Sequence, residues 1–370
     1  MSVHRDCILI VLVAGIGDLI LASKGIRAIR NGYPEAEIHL LTSTDAAPLA
    51  RHYPYVDRVW PFPIRELRRS KGSAWAVLGL IRRLRRFPFR LAVNLYSVES
   101  AAGALKMGML FRAIRARHRA GHDRNGFGLF LTKRIAPGTF FADRHFSEAV
   151  LEAAVAAGGV PDSKGVDVFW DRAVEGRWEG FFPGPEEAAG AATGAPVVGL
   201  NPGSDRSLKR WAPDRYSRVA DRLIESEGAR IVLLGGPAET RIAGAVERGM
   251  RHPVVNLSGT LSLDDLAFVI SRLDLLVTND SGPMHIGAAA GTPLVALFGP
   301  ALPGQFGPCA PPGCSRLIWH EIGCRPCPQV GCPQPRCMDM ITAEEVFDGC
   351  RGLLRTRLHS NEATTRGGIS

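Results

Sequence analysis

The stretch NDSGPMHIGAA, residues 279–289, follows the apolar run Leu275–Val277 and predicts how the second half of the chain folds. A buried strand ends there in a polar turn. Gly282-Pro283 then begins a helix, because a proline in the first helical turn has no N–H that would lack an intrahelical partner. The remaining N–H groups of such a turn suit an anion such as a phosphate. Asp280 and His285 add side chains able to orient a bound sugar nucleotide, so the stretch predicts an anion-binding turn.

Short apolar strands alternate with helices on both sides of this stretch, which indicates a parallel sheet covered on both faces. The chain also begins this way, with a strand at Cys7–Val13, a helix at Asp18–Gly32 and a strand at Glu37–Thr42. These three segments form a βαβ unit. We therefore predict an α/β protein of two doubly wound, Rossmann-like units facing a central cleft. Ligands are expected at the carboxyl ends of the strands.

Composition sets the predicted boundaries between these units. Residues 183–196 are rich in Gly, Ala, Pro and Glu, as linkers are. They separate an N-terminal unit over residues 1–182 from a C-terminal unit over residues 197–355. A disordered tail is expected over residues 356–370.

Basic residues are concentrated in the first half of the chain. The net charge is +9, and residues 60–120 hold fourteen Lys and Arg but only two acids, Glu66 and Glu99. Arginines on solvated faces would explain scattered charge but not this scarcity of acids. We therefore expect an anionic partner for the N-terminal unit.

The segment Ala74–Arg86 is both apolar and basic. Trp75, Leu78, Ile81 and Leu84 share a predicted helical face, and four arginines gather at its end. This pattern is typical of a helix that lies on an anionic membrane. A helix packed on the sheet with a solvated arginine end is the competing interpretation. Nucleic acid is not expected as a partner, because no nucleic-acid-binding motif accompanies the charge.

The apolar run Ile8–Val13 follows His4 and Arg5 and could be mistaken for a signal peptide. It is too short to span a bilayer, and no clear cleavage pattern follows it. A buried first strand explains it better. The protein is therefore expected to be soluble and cytoplasmic.

The turn after the first strand contains Gly15 and Gly17, two glycines of a dinucleotide-binding fingerprint. Ile20 stands where the third glycine would be, and the second strand ends in Leu41-Thr42-Ser43 rather than in an acid suited to a ribose. An NAD-dependent oxidoreductase is therefore disfavoured. Asp18 has two interpretations: a cap of its own helix, or a general base aimed into the cleft.

The segment NPGSDRSLKRWAP, residues 201–213, joins the first strand and helix of the second unit. Gly203 and Ser204 permit a tight turn with exposed N–H groups, and Lys209 supplies a cation beside it. Such a turn suits a diphosphate whose negative charge grows as it leaves. An ordinary loop with solvated basic residues is the alternative.

Glu239 and His285 each allow a structural and a functional interpretation. Glu239 follows the turn Gly235-Gly236-Pro237 and could accept hydrogen bonds from ribose hydroxyls, or it could interact with the dipole of its own helix. His285 could contact a ligand or pack within its helix. The sequence alone leaves both choices open.

Four cysteines follow one another at short spacing late in the chain. In a cytosolic protein such a run indicates zinc more than disulfides. The spacing is not that of two CxxC pairs, so a structural zinc site, a redox-sensitive loop and reduced thiols all stay open. The run consists of Cys324, Cys327, Cys332 and Cys337.

Taken in order, these elements resemble glycosyltransferase family 9, the heptosyltransferases of lipopolysaccharide core assembly. The resemblance extends to about Leu354 and rests on order and spacing rather than on a single motif. It departs at Gly15-Ile16, where the family often has a serine. The matching elements are the GIGD turn with Asp18, K-x-W-x-P at Lys209–Pro213, GGPAE at Gly235–Glu239, SGTLSLDDLA at Ser258–Ala267, D-S-G-x-x-H at Asp280–His285, and ITAEE at Ile341–Glu345.

The resemblance implies a GT-B fold and an inverting transfer of heptose from ADP-heptose, with no metal ion required and no cofactor. The absence of an Asp-x-Asp pair agrees with a metal-free reaction in which a cation and helix N-termini stabilise the leaving group. By resemblance, Asp18 is the general base on the turn that holds Gly15 and Gly17. The implied sugar-donor contacts are Ser204 and Lys209 to the diphosphate, Glu239 to the ribose, and Asp280, Ser281, Gly282 and His285 to the sugar and phosphates.

The implied partners are a nucleotide-sugar donor and an anionic glycolipid acceptor. Transient contact with the cytoplasmic leaflet of the inner membrane follows from that acceptor. Two other functions remain compatible with the sequence. One is the same reaction with another nucleotide sugar for a surface polysaccharide, and the other is a non-catalytic nucleotide-sugar-binding protein.

Overall fold

The computed structural model describes residues 6–69, 73–135, 144–182, 194–327 and 331–366. The chain divides into two compact units, residues 1–169 and residues 170–370. Each unit contains one six-stranded sheet. The strand pairs of both sheets are parallel, as predicted.

The sheet of the first unit has the strand order β3-β2-β1-β4-β5-β6. Strand β1 is buried along its whole length because CILIVL offers apolar side chains to both faces. The strands are β1 (Cys7–Leu12), β2 (Glu37–Ser43), β3 (Arg58–Phe62), β4 (Phe89–Asn94), β5 (His118–His122) and β6 (Lys133–Ile135). The helices are α1 (Ile16–Gly32), α2 (Ala47–Ala50), α3 (Ile64–Arg69), α4 (Ser73–Leu84), α5 (Ala101–Ala113) and α6 (Phe146–Ala156).

The sheet of the second unit has the strand order β12-β11-β10-β7-β8-β9. Its strands are β7 (Val197–Asn201), β8 (Arg230–Leu233), β9 (Val255–Asn256), β10 (Leu275–Asn279), β11 (Leu294–Leu297) and β12 (Ser315–Ile318). Its helices are α7 (Pro213–Glu227), α8 (Thr240–Gly249), α9 (Leu263–Ser271), α10 (Gly282–Ala290), α11 (Pro303–Phe306), α12 (Arg336–Asp339) and α13 (Ala343–Arg366). Short 3₁₀ helices lie at Arg172–Trp178, Ser207–Lys209 and Pro237–Glu239.

The strand orders place the expected ligand sites. In a doubly wound sheet, ligands bind outside the carboxyl ends of the strands where the strand order reverses. That point lies between β1 and β4 in the first unit and between β7 and β10 in the second. The turn that carries Asp18 follows β1, and the turns at residues 202–206 and 280–281 follow β7 and β10.

The boundary between the units lies earlier than the predicted one at residue 182. Residues 170–182 belong with the second unit because their aromatic side chains pack on it. Trp170 packs its ring against Phe268, and the Trp178 indole N–H donates a 2.9 Å hydrogen bond to Asp265. Residues 183–193 of the predicted linker lie outside the described residues.

Two helices differ from the sequence predictions. Helix α13 continues to Arg366, although a disordered tail was expected from residue 356, because TRLHSNEATTR contains no Gly or Pro to end the helix. In α4, Leu80 and Leu84 face the core, whereas Trp75 and Leu78 are exposed. Within the described residues, no helix is long and apolar enough to cross a membrane.

Candidate functional site

The turns after β7 and β10 are joined by buried side-chain amides. Asn201, the last residue of β7, donates from its amide to the hydroxyls of Thr278 and Ser281, at 3.2 and 3.1 Å. Asn279, the last residue of β10, donates to the carbonyl oxygens of Pro202 and Gly203, at 2.9 and 3.3 Å. The two predicted sugar-donor segments therefore form one rigid polar surface at the carboxyl edge of this sheet.

Lys209 and Asp280 form an ion pair on this surface, with Nζ and Oδ2 separated by 2.8 Å. Both side chains are mostly buried, at 18% and 6% exposure. Burial raises the pKa of the Asp280 carboxyl above its ordinary value, and the Lys209 ammonium opposes that shift. The pair thus fixes a cation beside the turn at Gly203-Ser204.

The backbone at Ser204 is held from two sides. Its hydroxyl lies 3.4 Å from the Asp280 carbonyl oxygen. The Arg210 guanidinium donates twice to the Ser204 carbonyl, at 2.9 and 2.6 Å. Arg210 therefore positions this turn.

Trp211 explains the K-x-W-x-P element in structural terms. The indole is fully buried, and its N–H donates a 3.0 Å hydrogen bond to the Ile341 carbonyl. The Trp211 backbone N–H and the Tyr216 hydroxyl both donate to Asn279 Oδ1, at 3.2 and 3.1 Å. The element anchors the segment that carries Lys209, and Asn201, Asn279 and Tyr216 support the site although the sequence did not single them out.

Glu239 lies against the same turn. The Gly236 N–H donates a 2.8 Å hydrogen bond to its carboxylate, so the residue caps the 3₁₀ helix Pro237–Glu239. A Cβ atom at Gly203 would overlap this carboxylate. The β7 turn and Glu239 are therefore packed together, and the absence of a side chain at Gly203 makes this possible.

Helix α10 begins at the same surface. Ser281 is its N-cap, Gly282 its first residue, and Pro283 lies in its first turn. His285 is buried on this helix. The N-cap of the helix, Ser281, directly follows Asp280 in the chain. The N-terminus of α10 therefore begins next to the ion pair, and the N–H groups of a first helical turn suit an anion.

In the first unit, Asp18 caps helix α1. The Gly15 N–H donates a 3.0 Å hydrogen bond to Asp18 Oδ2, and the carboxylate is half-buried. Tyr96, just after β4, interacts electrostatically with this carboxylate. Burial raises the pKa of the Tyr96 hydroxyl, and the Asp18 charge adds to the rise. Gly15 is exposed and Gly17 half-buried in the same turn.

The cysteine run lines a cavity of about 300 Å³ together with Arg325, Arg336 and Leu208, the residue before Lys209. Burial raises the pKa of the Cys337 thiol, and the Arg325 charge opposes the shift. All four cysteines are free thiols: Cys324, Cys327, Cys332 and Cys337.

The sulfur atoms of this run do not converge as zinc ligands would. Within the part of the chain that the structure describes, three potential ligand atoms lie within 4.8 Å of one another only at Cys7, Glu37 and His39. That group already forms a network, since His39 Nε2 lies 3.2 Å from Glu37 and Trp60 donates to His39 Nδ1. A zinc site, one of the three alternatives left open by the sequence, would therefore require a rearrangement of the cysteine loop.

The family model described as glycosyltransferase family 9 (heptosyltransferase) matches residues 78–337. A lipooligosaccharide heptosyltransferase 2 of Campylobacter jejuni is 32% identical over 44% of this chain. The chain spans about half of that relative, 52% of its length. A lipopolysaccharide heptosyltransferase 3 of Escherichia coli is 27% identical over 76% of this chain and 79% of its own length.

Solved structures share the fold. The structure of an E. coli ADP-heptose LPS heptosyltransferase II has a TM-score of 0.72 at 23% identity and covers 95% of this chain and 99% of its own. Identity at this level shows likeness of fold alone. The match over nearly the full length of both chains confirms the predicted pair of doubly wound units.

Proposed function

Because the chain belongs to glycosyltransferase family 9, we propose that it transfers a heptose from ADP-heptose to an anionic, lipopolysaccharide core-type glycolipid. The fold and the glycosyltransferase class of this chain are the starting points of the proposal. The sugar, the nucleotide, the inversion of configuration and the independence of metal are parts of the proposal. The observation that carries it is the buried Lys209–Asp280 pair on the surface shared by the β7 and β10 turns.

The second unit binds the sugar donor in this proposal. Lys209 and the N–H groups of the turn at Ser204 hold the diphosphate, and the N-terminus of α10 at Ser281 and Gly282 adds a second set of donors. Asp280 and His285 orient the sugar and phosphates. Glu239, already placed against Gly203, accepts hydrogen bonds from the ribose hydroxyls.

The chemical step is a single displacement. An acceptor hydroxyl oxygen forms a bond to the anomeric carbon as the bond from that carbon to the diphosphate oxygen breaks, and ADP leaves with the electron pair. Asp18 accepts the hydroxyl proton. Lys209 stabilises the charge that develops on the leaving oxygen, a role in which one lost hydrogen-bond donor typically costs about 10²–10³ in rate. Attack on the face opposite the diphosphate inverts the anomeric configuration.

In this proposal the acceptor binds to the first unit. The scarcity of acids in residues 60–120 supports an anionic acceptor there. A glycolipid acceptor would bring the enzyme to the cytoplasmic face of the inner membrane, so we propose a cytoplasmic protein with transient membrane contact.

The test pairs a binding measurement with a product analysis. Purified protein is screened by thermal unfolding against ADP-heptose, GDP-, UDP- and dTDP-sugars, because a ligand bound by the folded state raises the unfolding midpoint. The proposal expects stabilisation by ADP-heptose and transfer to a heptose-free core acceptor, with inversion seen by NMR and with activity retained in EDTA. A response only to another nucleotide sugar would contradict the heptose assignment. Binding without transfer would indicate a non-catalytic protein.

A further inference from the structure

The outer faces of α4 and α5 expose large apolar side chains to solvent. Trp75 and Leu78 on α4 are 79% and 52% exposed, Leu105 and Met109 on α5 are 65% and 55% exposed, and Leu129 in the loop after β5 is 75% exposed. Single exposed apolar residues are ordinary on protein surfaces. Five large ones on two helices and an adjacent loop need a partner.

The two helices lie on the same face of the first sheet. Leu80 and Leu84 of α4 share a core cluster with Phe111 of α5 and the inner residues of β1 and β4, so both helices cover the same face of the sheet. Phe130, beside Leu129, packs its ring against Phe111. The exposed residues of α4, α5 and the loop therefore lie on the side of the sheet that these helices cover.

The orientation of the two helices relative to the strands is also fixed. Helix α4 ends shortly before β4 begins and α5 ends shortly before β5 begins, and these two strands are parallel, so both helices run in the same direction. Their N-terminal halves, which carry Trp75, Leu78 and Leu105, accordingly lie at the carboxyl edge of the sheet. Asp18 lies at that same edge, just after β1.

On each helix, an arginine follows the exposed apolar residues along the same face. We call the exposed apolar residues of each helix its apolar stripe. Arg82 lies seven residues after Trp75, and Arg112 lies seven residues after Leu105, which is two helical turns and hence the same face. Both arginines are exposed. Residues 73–113 contain one acid, Glu99, and it pairs with Arg124.

We propose that this surface, the outward face of α4, α5 and the Leu129 loop, docks on an anionic lipid bilayer. The inference rests on the proposed function, since a lipid-linked acceptor resides in such a bilayer. Apolar side chains enter the interface while arginines meet anionic headgroups. A second copy of the same surface would bring like charges together. Nucleic acid would favour several stacking aromatics, whereas the two stripes expose one, Trp75.

The experiment measures co-sedimentation of the full chain with vesicles that contain neither acceptor nor sugar donor. Phosphatidylcholine vesicles are compared with vesicles that also contain phosphatidylglycerol. The variants are Trp75→Ser with Leu105→Ser, and Arg82→Glu with Arg112→Glu. The matched control is Val155→Ser with Val160→Ser, two exposed apolar residues of which Val155 lies on α6, the helix packed on α1.

We expect binding to the anionic vesicles, a loss of about tenfold or more for each docking variant and at high salt, and no loss for the control. Unchanged unfolding midpoints would exclude misfolding as the cause. Natural protein that stays in the supernatant while it transfers heptose to a delipidated acceptor would overturn the docking surface and leave the proposed function intact. Sedimentation velocity that shows a dimer dissociated by the same variants would assign the surface to a second copy instead.

Discussion

Lys209 Nζ lies 2.8 Å from Asp280 Oδ2 at the carboxyl edge of the second sheet. The lysine ends the 3₁₀ helix Ser207–Lys209 that follows the β7 turn, and the aspartate lies in the turn after β10. A buried cation held by a buried carboxylate is preorganised, because it needs no large movement when negative charge develops nearby. In the proposed reaction, the pair therefore both stabilises the fold and supplies the cation for the leaving diphosphate.

Replacing Lys209 by Met should lower turnover by about 10²–10³, since the leaving diphosphate loses its cation. The same change leaves Asp280 buried without its counter-charge and should destabilise the fold, by about 3–5 kcal/mol for a fully buried pair. Heptose-transfer kinetics and thermal unfolding measure the two effects separately.

The double variant Lys209→Met with Asp280→Asn separates the loss of turnover from the loss of stability. Stability should recover, because the unpaired charge is gone, while turnover should stay low. Arg218→Met, which breaks an exposed surface pair with Asp214, is the control and should change neither quantity. Recovery of turnover in the double variant would show that Lys209 acts only through folding.

Gly203→Ala should displace the Glu239 carboxylate from its position on the β7 turn, because the added Cβ would overlap it. We expect weaker sugar-donor binding in Gly203→Ala and in Glu239→Ala, with the double variant little worse than either single variant. Isothermal titration with ADP-heptose measures this coupling. Gly352→Ala, where a Cβ meets open space, is the control, and additive losses would contradict the packing argument.

The sequence predicted much of the fold because apolar periodicity is strong in both sheets. The strand, helix and strand predicted at Cys7–Val13, Asp18–Gly32 and Glu37–Thr42 match β1, α1 and β2 closely. Strands β5 (HRAGH) and β12 (SRLI) were not predicted, because they are short and carry polar residues. Their sheet pairing depends on neighbouring strands rather than on local pattern.

The site was predicted in part. Motif order brought Lys209, Asp280 and Ser281 into one hypothesis, and the structure places them together in the second unit. The supporting amides of Asn201 and Asn279 were not singled out, because their importance comes from contacts across the sheet edge. In α4 the predicted apolar face is divided in the structure, because Trp75 and Leu78 are exposed whereas Leu84 is buried.

We expect acid to lower the stability of the first unit by protonating Asp162, the partner of Arg27. This buried guanidinium binds Asp162 at 2.8 Å, and the bond lowers the pKa of the Asp162 carboxyl to about 2. A lowered pKa means that the pair stabilises the fold above the ordinary aspartate value of about 3.9 and that this stability is lost as the pH falls toward about 2.

Asp162→Asn should therefore lower the unfolding midpoint most near neutral pH, and its difference from the natural protein should shrink in acid. Thermal unfolding over a pH series measures that difference. A difference that grows as the pH falls would have the wrong sign for this pair. Asp214→Asn, at an exposed surface pair, should show little effect at any pH.

The cysteine run is tested by metal analysis. If the loop closes on zinc, purified protein should contain about one zinc per chain, and chelation should lower the unfolding midpoint. Cys327→Ser should remove the metal, whereas Cys350→Ser, a change at a buried core cysteine, should retain it. Metal-free protein with unchanged stability in chelator would leave the four residues as reduced thiols.

The variant Asp18→Asn tests whether Asp18 is the general base of an ADP-heptose-dependent transfer. The asparagine can still accept the Gly15 N–H hydrogen bond, so the helix cap and the fold should persist. We predict that the ADP-heptose thermal shift is unchanged while turnover to a core acceptor falls by about 10² or more, as expected for loss of a general base. Turnover within about tenfold of the natural protein, below what such a loss typically costs, would contradict the assignment.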